Sequence, residues 1–213
     1  MRTLLACGAV AGPLFVIVGF GQAFTRQGFD ITRHPLSVLS NGDLGWLQVA
    51  NFLVSGLLVI AGAIGMRRAL RGGRGGTWGP LLIAVYGLGL VAAAIFRADP
   101  MDGFPPGTPP GPPAAISTFG LLHFVAAAIA FFSLIAACFV FARRFGALGE
   151  RGWAAYSAAT GLLFLAAFVA NAAGGGQPVF SVAFALAVVL AWAWLSAIAL
   201  RLTGEVASGQ TLA

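Results

Sequence analysis

The sequence predicts an all-α membrane protein, a bundle of six transmembrane helices with both termini in the cytoplasm. Three observations carry this. Of 213 residues, 59% are hydrophobic and only 8% are charged, against roughly 25% charged in a soluble domain. Six stretches reach the ~20 mainly apolar residues that crossing the hydrocarbon requires. The arginines between them fall mostly on one side, as the positive-inside rule demands of a cytoplasmic face.

The spans fall at about 3–24, 44–66, 77–97, 117–142, 153–173 and 179–201. Only helices satisfy every backbone group within one such segment, so barrel strands are excluded. A signal peptide is the alternative for the first stretch, but its apolar run exceeds the ~7–15 residues of an h-region. A single domain over 1–201 and a short disordered cytoplasmic tail over 202–213 complete the expected organisation.

All 12 basic residues are arginine, which reads as coding bias. Arg2, Arg67, Arg68, Arg71, Arg74, Arg143, Arg144, Arg151 and Arg201 lie on one side with Glu150 and Glu205. Arg26, Arg33 and Arg97 lie on the other with Asp30, Asp43, Asp99 and Asp102. The net charge of +6 is therefore a topology signal at the cell membrane and not the footprint of nucleic acid, which is excluded as a partner. Cys7 and Cys138 have no paired spacing and read as small apolar filler.

Trp46, Trp78 and Trp153 suit the two membrane interfaces. Gly8, Gly12, Gly56, Gly62 and Gly65 permit close helix approach, and Pro13 falls within the first span. The outer loops, 25–43 and 98–116, are long enough to fold over the bundle. The second lies in a stretch that carries seven of the eleven prolines. In the first, Pro35 suits the start of a short helix that Gly42 can end. Asn41 or Asp43 is placed to cap the second span and Ser117 or Thr118 the fourth.

Some polar residues exceed these needs. His34 is no capping residue, Asn51 and His123 sit about two turns inside their spans, Asn171 lies near the outer end of the fifth, and Asp99 closes the third. All five fall in one outer layer, where polar groups face the bundle interior. With Arg33 and Arg97 they are the candidate lining of an outward-facing pocket. His34, Asp99 and His123 are expected on one cavity, with at least one pair within about 6 Å, close enough for strong coupling.

Arg33-His34-Pro35, Ser37, the Gly42 to Trp46 turn, Asn51, Asp99-Pro100, and Gly120 with His123 together resemble the family known as domain of unknown function 998. The likeness spans about residues 3–201. It implies a polytopic protein of around six spans, marks His34, Asp99 and His123 as family-like positions, and brings no assigned activity.

Several functions compete. A non-catalytic bundle whose outer pocket binds a lipid headgroup or a small polar or anionic ligand leads, Arg33 and Arg97 favouring an anion. A metal-dependent hydrolase or transferase acting on a lipid or envelope substrate is the alternative, with His34, Asp99 and His123 as the minimum for a three-ligand zinc. No local metal motif is present, so no cofactor is called for. A small-molecule transporter ranks lower, because the mid-span layer around Ser55, Gly87 and Leu163 carries no ionisable residue. Membrane lipid is the one partner the composition implies; the oligomeric state is not legible.

Overall fold

The computed structural model describes residues 1–70, 73 and 75–208. Arg71 and Arg74, two of the arginines grouped on one side, and 209–213 of the expected tail lie outside the described residues. Six helices form: α1 (Arg2–Thr25), α2 (Gly45–Ala69), α3 (Trp78–Ile95), α4 (Thr118–Ala147), α5 (Arg151–Ala173) and α6 (Pro178–Ala207). All six are long and apolar enough to cross a membrane, and no strand occurs among the described residues. Large apolar side chains such as Ile17, Phe24 and Leu186 are exposed on the outside, a surface suited to lipid. This is an integral membrane protein with six spans.

The helices form a ring. Each packs on its neighbours in sequence, and α6 closes against α1. Small residues set the closest seams. A Cβ on Gly62 of α2 would stand 2.7 Å from the Cα of Gly8 on α1, and one on Gly56 would stand 2.8 Å from the carbonyl oxygen of Gly87 on α3. Gly12 gives α1 the same intimacy with the Trp192 backbone of α6.

Trp192 is the interior anchor. It stacks on Phe15 at 4.7 Å and lies 5.5 Å from Tyr86, so three helices meet at one ring. Phe131, Phe164, Phe168 and Phe184 form a second aromatic cluster binding α4, α5 and α6.

At the arginine-rich end, Arg201 reaches Glu150 at 2.6 Å and Glu205 at 2.8 Å. Its guanidinium also lies 4.9 Å from the ring centres of both Phe145 and Trp153. This explains why α6 continues through 202–207, where a disordered tail is expected. The Arg201–Glu205 pair, at i and i+4, supports an extra turn and a half of helix. Ser208 follows as its cap.

At the opposite end the 26–44 and 96–117 segments fold over the bundle. Leu36–Ser40 forms a 3-10 turn beginning after Pro35. Neither Asn41 nor Asp43 caps α2, whose N-cap position is Leu44 and has no side-chain bond. The Asn41 amide instead donates to Ala98 O at 3.0 Å, tying one loop to the other. Ser117 does cap α4, accepting from Gly120 N at 2.9 Å.

Candidate functional site

A cavity of about 380 Å³ opens inside the ring at the loop end, within the size range of small-molecule sites. All six helices and the loop after α1 contribute to its wall. Its interior is aromatic and aliphatic, built from Phe15, Tyr86, Phe131, Phe184, Val188 and Trp192. The polar side chains on the wall are uncharged or imidazole: His34, Ser37, Tyr86, His123, Asn171 and Ser181, with the Trp192 indole.

Three of the seven candidate residues, His34, His123 and Asn171, therefore share this wall. The other four go elsewhere. Asn51 is buried in the α1–α2 seam, donating to Phe15 O at 3.2 Å and to Gln48 Oε1 at 3.3 Å. Gln48 in turn accepts from Gln22 Nε2 at 2.9 Å, an interhelical amide chain for which the polar Gln22 inside an apolar span was the available signal. Asp99 accepts from Ser117 N at 2.9 Å and from Ser117 Oγ at 2.6 Å, at the start of α4. A Cβ on Gly120 would collide with that carboxylate, which is why glycine stands there. Arg33 pairs with Asp30 at 3.1 Å on the surface, and Arg97 is exposed.

His34 is 1% exposed and both its ring nitrogens are used. The Asp30 N–H donates to Nδ1 at 2.9 Å, so the proton sits on Nε2, which donates to Asp102 O at 3.0 Å. The ring also packs between Phe29 and Phe104. His34 is thus a clamp joining the two loops above the cavity. Arg26 does similar work beside it: its guanidinium donates to Leu39 O at 3.1 Å and Asn41 O at 2.7 Å and lies over Phe104. Burial pulls the Arg26 pKa down, an effect that Asp43 partly offsets.

His123 differs. Its Nδ1 lies 2.8 Å from Phe96 O, an oxygen that can only accept, so Nδ1 carries the proton. In the neutral ring Nε2 is then a bare acceptor. It meets no hydrogen-bond partner among the described residues, on a side chain 3% exposed.

The three ligands of the zinc reading do not converge. Both His34 nitrogens and the Asp99 carboxylate are engaged at separate places, and no group of three His, Cys, Asp or Glu fit to hold a metal occurs among the described residues. Asp99 also stands apart from the cavity wall, where all three were expected together. Sequence reasoning missed Tyr86, Ser181 and Trp192. Tyr86 is one of only two tyrosines, and Trp192 lies deep in a span, away from the interfaces that tryptophan favours; both were legible as anomalies.

A comparison with curated proteins gives no match, and one with solved structures gives none. Residues 9–201 match the family described as "Protein of unknown function (DUF998)". Because that match covers nearly the whole length, the chain belongs to the DUF998 family.

Proposed function

We propose that the protein is a non-catalytic membrane bundle that binds an uncharged, largely apolar ligand, such as a lipid, in its interior cavity. The cavity itself carries the reading: a volume of about 380 Å³ walled by aromatic rings, with hydrogen-bonding groups at its loop end. An apolar chain in the interior gains on the order of 25 cal/mol for each Å² removed from water. Ser37, Asn171 and Ser181 suit a neutral polar head at the mouth. Expectations of an anionic ligand rested on Arg33 and Arg97, and neither lines the cavity. By the arginine distribution the mouth faces the cell exterior.

The test is tryptophan quenching by 12-bromododecan-1-ol with the protein in lipid nanodiscs, since bromine quenches an indole on contact. Saturable quenching at one site is expected, and Ala185→Phe, which fills the cavity from α6, should remove the saturable part. Identical, unsaturable quenching in both proteins would reduce the effect to partition into lipid and overturn the reading.

A further inference from the structure

We infer that the ligand of this cavity must offer a hydrogen-bond donor, a lipid alcohol or a comparable uncharged hydroxyl compound, and that His123 Nε2 receives it. The inference rests on the cavity reading above and adds the chemistry of the ligand head.

His123 projects from the second turn of α4 onto the cavity wall. The carbonyl oxygen of Phe96, the cap residue of α3, accepts a hydrogen bond from Nδ1–H at 2.8 Å. That bond sets both ring orientation and tautomer, as the second partner of a functional imidazole commonly does. Phe52 and Phe124 flank the ring edge-on, at 6.3 and 6.2 Å between ring centres. Neither can donate to it. Nε2 is therefore an acceptor left open on the cavity wall, free to take a hydrogen bond from a ligand. The other histidine shows the contrast: His34 has both nitrogens satisfied by the protein itself.

An ether or a hydrocarbon would fill the same space and leave Nε2 unpaired. A hydroxyl would satisfy it. Carboxylates and phosphates gain nothing from a lone pair, and no cation on the wall compensates them. Tyr86, deeper on α3, supplies a hydroxyl without a side-chain partner among the described residues, and suits a second oxygen on a longer ligand.

The probes are 1-dodecanol and its methyl ether, 1-methoxydodecane, competing with 12-bromododecan-1-ol in the nanodisc assay. The alcohol is expected to compete roughly three- to tenfold better, the worth of one hydrogen bond. His123→Phe keeps the ring and removes the acceptor, so the two probes should compete equally there. Because that variant also strips Phe96 O of its donor, the wild-type protein gives a second readout. Its ¹⁵N-histidine spectrum should show a bare Nε2 resonance that moves with the alcohol and not with the ether. Equal competition by both probes in the wild type, or an alcohol preference that survives His123→Phe, would overturn the donor requirement and leave the cavity reading standing. Failure of both probes to compete would remove the cavity reading as well.

Discussion

The Asp99 carboxylate holds Ser117 with both of its oxygens, one on the backbone N–H at 2.9 Å and one on the hydroxyl at 2.6 Å. Ser117 in turn caps α4 through Gly120 N. Acid at a helix start also complements the helix dipole. Asp99 is therefore a brace for the helix that carries His123. Asp99→Ala should cost about 1–2 kcal/mol of stability, and Gly120→Ala should act in the same direction by displacing the carboxylate. Thermal unfolding in detergent reads both. Added zinc should leave the wild-type melting temperature unchanged; a zinc-dependent rise lost in Asp99→Ala would restore Asp99 as a ligand.

His34 links the two loops, and its replacement removes two bonds at once. His34→Ala should lower stability by roughly 1–3 kcal/mol and raise hydrogen exchange at the Asp30 amide. It should leave the preference for dodecanol over its ether intact, since His34 has no nitrogen to spare. Loss of that preference would mean that His34, and not His123, meets the ligand head.

Asp30 provides a pH test. Hydrogen bonds from the Thr32 side chain and backbone hold its carboxyl below the usual aspartate range, with help from Arg33. A depressed carboxylate stabilises its turn above the unfolded pKa of about 3.9, and that support is lost as pH falls through the lower folded value. Protection of the Thr32 amide should therefore persist at pH 5 and collapse only on acidification below the ordinary range. Loss of protection already between pH 6 and 5 would assign the turn's stability to another group.

The ion pairs at the two ends should differ. Arg33 and Asp30 are 47% and 40% exposed, and such a pair is worth about 0–1 kcal/mol. Arg201 is 18% exposed, serves two glutamates and stacks on two rings. Arg201→Gln should cost roughly 1–3 kcal/mol, below the ~3–5 of a fully buried pair because Glu150 is 30% exposed. Arg33→Gln should be near neutral. Equal losses would contradict the burial argument.

Orientation has a direct assay. A cysteine at Thr108 should react with an impermeant maleimide added outside cells, while one at Gly73 should not. Labelling of Gly73→Cys alone would invert the arginine reading and turn the cavity mouth toward the cytoplasm.

The one-dimensional pattern was enough for the six helices, because a run of ~20 apolar residues has no other way to satisfy its backbone in lipid. It also narrowed the α4 cap to Ser117 or Thr118 and marked the glycine seams at Gly8, Gly56 and Gly62, each a local property of residue type and spacing. What each polar group bonds to was not legible, because partners come from distant segments. Asp99 lies 18 residues before Ser117, and His34 reaches Asp102 across 68. Only the closure of the ring decided that Asn51 faces Gln48 and Phe15 while His123 and Asn171 face a cavity. Tertiary packing likewise brought Phe15, Tyr86 and Trp192 from three helices to one point. Residue type determined that these side chains leave water; the geometry of six packed cylinders determined that a space remains between them, with His123 on its wall.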